Sequence, residues 1–172
     1  TVEPKFIPKE AVPVTLGEDQ QVKVRLIDCV GFLIKDASGH VEEGKERMVR
    51  TPWSADAIPF HQAASLGTRK VIEDHSTIGL MITTDGSFGE FPRENFPEAE
   101  EKTVQELKKQ QKPFLILVNS QLPYKEETLK LAQELQKKYG VTAITANCEQ
   151  LRREDITRIL ENILYEFPVS QI

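Results

Sequence analysis

Apolar and polar residues alternate through residues 21–32, where Val22, Val24 and Leu26 are separated by Lys23 and Arg25. A period of two marks a strand with one buried face. At Leu26-Ile27 the run becomes apolar on both sides; it ends on an acid, Asp28, with Gly31 three residues on. Upstream, residues 1–16 carry Phe6, Val12, Val14 and Leu16 among Pro4, Pro8 and Pro13. Proline cannot donate to a ladder, so this arm is predicted to be an edge strand or irregular. Residues 17–20 read as a turn. Edge strand, turn and central strand together predict an antiparallel hairpin.

Beyond the hairpin the pattern changes. Residues 33–60 are polar and punctuated by Lys35-Asp36-Ala37-Ser38-Gly39, Glu42-Glu43-Gly44-Lys45 and Thr51-Pro52-Trp53. A loop of that length is uncommon in a compact domain and is either functional or disordered. Trp53 in it either plugs a groove of its own domain or meets a partner. Residues 59–74 carry a narrow apolar stripe and predict a helix. Residues 76–84 form a short apolar run, a buried parallel strand ending at Thr83-Thr84-Asp85-Gly86. Asp85 is read either as a second acid of a site or, more simply, as the Asp-Gly of a turn.

Residues 97–110 predict a helix with Pro97 in its first turn, acids at its start and Lys108 and Lys109 at its end. Its charge is read as a solvated face. Residues 113–119 are a second buried strand, 125–139 a helix stopped by Gly140, 141–146 a third strand, and 151–165 a last helix with Ile156, Ile159, Leu160, Ile163 and Leu164 on one face. Hairpin, loop, helix and then repeated strand–helix units predict an α/β domain with a mostly parallel sheet and right-handed crossovers.

Composition narrows the class. A chain of 172 residues fits one domain. Twenty-two basic residues against 27 acidic ones give a net charge of -5, which argues against a broad nucleic-acid surface but leaves room for a small phosphate site. Cys29 and Cys148 match no metal spacing and read as buried thiols. His40, His61 and His75 show no ligand spacing and read as surface or turn residues. No apolar run approaches the roughly 18 residues of a membrane span.

Candidate chemistry gathers at the strand ends, where ligands of open α/β sheets bind. Asp28 there is placed to hold Mg²⁺ through water, and Gly31 to let a backbone N–H approach a γ-phosphate. Asp-x-x-Gly is equally the plain end of a sheet strand, a solvated acid before a turn glycine. Asn119-Ser120-Gln121-Leu122 follows one strand and Thr145-Ala146-Asn147-Cys148 follows the last. In P-loop nucleotide switches these places carry the base, as Asn-Lys-x-Asp and Ser-Ala-Lys. Here Asn119 matches, Ser120 replaces the lysine, Leu122 replaces the aspartate and Asn147 replaces the second lysine. An Asn after a strand is also a common turn former.

Longer stretches carry a family resemblance. They include Glu3-Pro4-Lys5-Phe6, Asp28-Cys29-Val30-Gly31, Thr51-Pro52-Trp53, Ile58-Pro59-Phe60-His61, Gly67-Thr68-Arg69-Lys70-Val71-Ile72, His75-Ser76-Thr77-Ile78-Gly79, Lys112-Pro113-Phe114 and Tyr165-Glu166-Phe167-Pro168-Val169. Across nearly its whole length the chain resembles the nucleotide-binding domain of the stage IV sporulation protein A family, the spore-coat morphogenetic proteins of endospore-forming Firmicutes.

The resemblance implies a P-loop NTPase-like, three-layer fold related to translation-factor GTPases. It implies an ATPase, using ATP and Mg²⁺, that assembles into a static polymer under the spore coat. The implied location is the mother-cell cytoplasm, at the outer forespore surface. The implied partners are other copies of the protein, other coat morphogenetic proteins and a small membrane-surface anchor protein, with no nucleic acid. The family's Walker B aspartate falls on Asp28, and its switch threonine at or next to Thr1, both implied to act in catalysis and at the metal. The nucleotide is implied to meet Gly31, Asn119, Ser120, Thr145, Ala146 and Asn147.

The phosphate-loop motif is not in these residues, and neither is a strand to precede it. The expectation is therefore that residues 1–172 are a partial NTPase-like domain, without the C-terminal assembly regions, whose isolated sheet is incomplete and which binds nucleotide poorly alone. Two alternatives remain: a non-catalytic structural module of the same fold, and a GTP-binding switch, against which Leu122 speaks.

Overall fold

A computed structural model of the chain describes residues 3–37, 41–42 and 44–167. The predicted hairpin forms: β1 (Lys5–Leu16) and β2 (Gln20–Asp28) pair antiparallel, closed at Leu16 and Gln20. Its register breaks between Ile7 and Val12, so that residues 8–11 bulge opposite Arg25. Counting back from the closing pair without a break would set Asp28 opposite Pro8; the bulge sets it opposite Lys5 instead.

Among the described residues β2 pairs with β1 alone, and Leu26 is 60% exposed. It is therefore not the central strand of the main sheet, as its apolar end had suggested. Lys23 and Arg25 leave it one charged face, whereas a parallel strand covered by helices needs two apolar ones.

The polar stretch that follows is not simply a loop. It holds two short antiparallel ladders, β3 (Val41–Glu42) with β4 (Lys45–Glu46), and β5 (Met48–Val49) with β6 (Ile58–Pro59). Trp53 is half-buried, its backbone N–H donating to Thr51 Oγ1 at 3.0 Å. The helix that starts here is α1 (Phe60–Lys70), and it widens into a π-helical turn at Val71–His75. Val49, Ile58, Phe60 and Ala63 pack together beneath the second ladder.

The main sheet has three parallel strands in sequential order, β7 (Gly79–Thr84), β8 (Phe114–Asn119) and β9 (Ala143–Ala146). Between them run α2 (Pro97–Lys109) and α3 (Glu126–Tyr139), and α4 (Arg153–Tyr165) follows. One face of the sheet packs Met81, Phe114, Ile116 and Val118 against Ile72, Val104, Leu107 and Leu135. The other packs Leu117 and Ala146 against Ile159 of α4. Helices on both faces make this the three-layer α/β arrangement that the sequence predicts. Ile156, assigned to the same buried face of α4, is 47% exposed. Gly140 stops α3 in the left-handed conformation at φ 72°.

The acids of α2 are not all solvated. Glu100 and Glu106 are 5% and 8% exposed. Glu100 takes a two-pronged guanidinium contact from Arg93, at 2.5 and 2.8 Å, and the hydroxyl of Thr83. A carboxylate this buried needs such partners. Arg93 comes from a short 3-10 turn, Arg93–Asn95, which the sequence pattern did not signal.

The carboxyl ends of β7 and β8 are locked by Asp85. Its Oδ2 accepts from Ser120 Oγ at 2.6 Å and from Thr128 Oγ1 at 2.7 Å. Its Oδ1 accepts from Ser87 Oγ at 2.5 Å and Ser87 N at 3.0 Å. Two of these hydroxyls pass the lock onward, Ser87 Oγ accepting from Gln121 N at 2.9 Å and Ser120 Oγ from Leu122 N at 3.1 Å. Asp85-Gly86 is also the turn expected from sequence: Gly86 has φ +88°, and a Cβ there would lie 2.9 Å from Arg93 N.

Burial by itself lifts the Asp85 carboxyl, but the hydrogen bonds from Ser120, Ser87 and Thr128 outweigh it and hold the group below its usual value. A carboxylate depressed in this way contributes its stability fully above the unfolded value of about 3.9, and loses it as pH falls through the folded value. Ser120 and Thr128 are 0% and 2% exposed, so Asp85→Ala takes the charged acceptor from two buried hydroxyls and leaves them only each other, at 3.4 Å. The expected loss is about 2–3 kcal/mol by chemical denaturation. In Asp85→Asn, thermal stability should depend less on pH in the acid range below about 4 than in the parent protein.

Candidate functional site

Asp28 is the last residue of β2 and is exposed. It lines a cleft of about 250 Å³ together with Glu3, Lys5, Cys29, Arg47 and Phe60. One wall is the open end of the hairpin; the other is the β5–β6 ladder with the start of α1. Lys5 stands directly across the ladder from Asp28, and such pairs project to the same face. Arg47 enters from the opposite wall, where its carbonyl accepts from Phe60 N at 2.8 Å and its guanidinium lies 5.2 Å from the Phe60 ring centroid.

Contacts to α1 and its π-helical turn help to hold the open end of the hairpin. The Phe6 and His75 rings meet edge-on with centroids 5.4 Å apart, and the Cys29 thiol shares a hydrogen bond with Thr68. Burial pushes the Cys29 thiol up, against opposing hydrogen bonds from the Gly31 backbone and Thr68. Cys148 is likewise raised by burial. Both thiols are half-buried, and neither is an exposed nucleophile. Gly31 follows at φ +81°, with nothing within 4 Å of where a Cβ would stand. Its backbone thus borders open space, as close approach by a phosphate requires.

Asp28 and Glu3 put two hard oxygen donors into the cleft, a set that suits Mg²⁺, which takes one or two carboxylates and completes its shell with water and substrate phosphate. Among the described residues no group of three or more His, Cys, Asp or Glu side chains could hold an ion by themselves. Thr1, the implied switch threonine, lies outside the described residues, as does His40.

The second group of candidates gathers at the carboxyl ends of β8 and β9. Asn119 Oδ1 accepts from Cys148 N at 2.9 Å, and Ser120 N donates to Ala146 O at 3.0 Å, so the two loops are tied together. Asn147 Oδ1 accepts from Glu149 N at 3.0 Å, a local turn. Thr145 and Ala146 are 5% and 2% exposed, and the Thr145 carbonyl accepts from Arg158 of α4 at 2.8 Å. Ser120 is fully buried with its hydroxyl given to Asp85. Outward the loop after β8 presents Gln121, Leu122 and Tyr124, with Leu122 63% exposed.

The structure thus brings Asn119, Ser120, Thr145, Ala146 and Asn147 to one end of the parallel sheet, and sets Asp28 in the cleft at the end of the hairpin, with Gly31 just beyond the residues that line it. Sequence reasoning missed Lys5 and Arg47. Lys5 was hidden by the bulge in β1, and Arg47 by the polar stretch in which it sits. Asp85 was noted, but as a turn former. The hydroxyls of Ser87, Ser120 and Thr128 around it were the available signal.

Comparison with known proteins gives the class. A family model described as stage IV sporulation protein A, ATPase domain, matches residues 1–168. Over all 172 residues the chain is 46% identical to stage IV sporulation protein A of Bacillus anthracis, and 45% identical to those of Bacillus subtilis (strain 168) and Clostridioides difficile (strain 630). It spans 35% of the length of each of these relatives. No solved structure matches it. No helix among the described residues is long and apolar enough to cross a membrane. The chain belongs to the stage IV sporulation protein A family, through that family's ATPase domain.

Proposed function

We propose that the full-length protein hydrolyses ATP and uses that reaction to assemble copies of itself into the layer on which the spore coat is built. The observation that carries this reading is the ATPase-domain match over residues 1–168, together with a strand-end aspartate in an open cleft. In this reading the protein works in the mother-cell cytoplasm at the outer forespore surface. Its partners are further copies of itself, other coat morphogenetic proteins and a small anchor protein on the membrane surface. Family membership supports the sporulation role and the ATPase domain within these assignments.

Asp28 holds Mg²⁺ through water in this reading, and Thr1 is the switch threonine. The ion, when bound, neutralises charge on the phosphates during transfer. Gly31 offers its N–H to the γ-phosphate. Asn119 braces the base loop through Cys148 N, Ser120 shapes that loop from inside, and Thr145, Ala146 and Asn147 form the neighbouring loop.

Asp28→Ala in the full-length protein is expected to keep the fold, because the residue is exposed, and to lower phosphate release by more than tenfold, or about 1.4 kcal/mol of transition-state stabilisation. Assembly measured by sedimentation should fail with it. Unchanged turnover in the folded variant would make Asp28 a solvated strand end and leave a non-catalytic module as the better reading.

Base preference gives an independent check. Guanine presents an N1 proton and an exocyclic amine, which a carboxylate accepts in GTP switches. Leu122 has no acceptor and is 63% exposed at that place. Guanine would gain no protein acceptor for these donors, whereas adenine lacks both and loses nothing. ATP should therefore win in a turnover competition, and Leu122→Asp should move the balance toward GTP. Equal or better use of GTP by the parent protein would point to a GTP switch.

A further inference from the structure

The cleft beside Asp28 contains two cations to which the family resemblance gives no role. Lys5 reaches it from across the β1–β2 ladder, on the same face as Asp28. Arg47 reaches it from the far wall, its main chain fixed by the bond from Phe60 N and its guanidinium placed over the Phe60 ring. The two carboxylates, Asp28 and Glu3, share the space. At about 250 Å³ the cleft falls below the roughly 300–1,000 Å³ of sites that enclose a whole small-molecule ligand. Its size and its mixed charge suit the phosphate end of a nucleotide with an ion and water, and leave the base outside.

We infer that this cleft receives the terminal phosphates of ATP, with Lys5 binding the γ-phosphate and Arg47 stabilising the charge that spreads over it during transfer to water. The inference rests on the ATPase reading above. In the step concerned, the water oxygen bonds to the γ-phosphorus and the bond from that phosphorus to the β–γ bridging oxygen breaks. ADP keeps the electron pair, and the water's proton passes to inorganic phosphate or to solvent. Charge on the equatorial oxygens is the main thing left for a protein group to stabilise, and a planar, permanently charged fork suits it better than an ammonium. The long polar segment between β2 and α1 then carries an arginine to the phosphate from within the same chain.

The test is steady-state phosphate release by the full-length protein, at concentrations where it remains in the supernatant after ultracentrifugation. Arg47→Ala should lower kcat by about 100-fold or more with KM changed less than about threefold. Arg47→Lys should recover part of that loss, since it keeps the charge and loses the fork. Lys5→Ala should raise KM more than it lowers kcat. Both residues are exposed, so the melting temperature should stay with that of the parent protein in every variant. If Asp28→Ala abolishes turnover while Arg47→Ala and Lys5→Ala keep kcat and KM within threefold, the cleft assignment is overturned and the ATPase reading stands. An Arg47→Ala effect confined to KM also overturns the role given to Arg47. If the parent protein releases no phosphate from ATP, both readings fall together.

Discussion

Burial of β8 on both faces is the constraint from which most of the arrangement follows. Leu115, Ile116 and Val118 are 0% exposed, and Leu117 is 2% exposed. A strand this apolar cannot leave either backbone edge in water-poor surroundings unpaired, so β7 and β9 flank it in parallel. Its even-numbered side chains demand one layer of helices and Leu117 another. Parallel pairing also sends every strand out at the same end. Asn119, Ala146 and Thr84 emerge together there, and the polar groups that follow must satisfy one another. Asp85 satisfies most of them, through hydroxyls from the turn after β7, the end of β8 and the first turn of α3.

The parallel half of the fold was legible because its signals are local and agree. Residues 113–119 are an unbroken apolar run, Pro97 opens a helix, and Gly140 closes one. Each fixes its own element without reference to the rest. The hairpin was legible as a hairpin for the same reason, since alternation and a turn suffice. Its place was not. Whether a strand joins a larger sheet depends on what covers its faces, which periodicity within twelve residues does not encode. The bulge at residues 8–11 was hidden as well, because prolines mark only that regular pairing stops, not where it resumes. With it went the pairing of Lys5 and Asp28.

The chemistry was read less completely than the fold, for a related reason. Asp28 and Gly31 form a motif in a single stretch, so sequence alone proposes them. Arg47 and Phe60 are brought to the same cleft by a two-residue ladder in a polar segment. Nothing in the pattern of such a segment distinguishes a guided crossing from a slack one. Glu100 shows the opposite error. An acid in the first turn of a helix has a ready explanation in the helix dipole, and that explanation masked its pairing with Arg93 and Thr83.

The separation of the two sheets has a consequence for cooperativity. Among the described residues the ladders of β1–β2 and of β7–β9 share no hydrogen bond, and the hairpin meets α1 and its π-helical turn through an aromatic edge and a thiol. β1 also runs against α4, and Leu16 is 3% exposed, so the hairpin is tied as well to the helix that covers β8. Opening of the hairpin therefore has to break contacts with α1, the π-helical turn and α4. A ligand bound at Asp28 would add its own binding free energy to that opening.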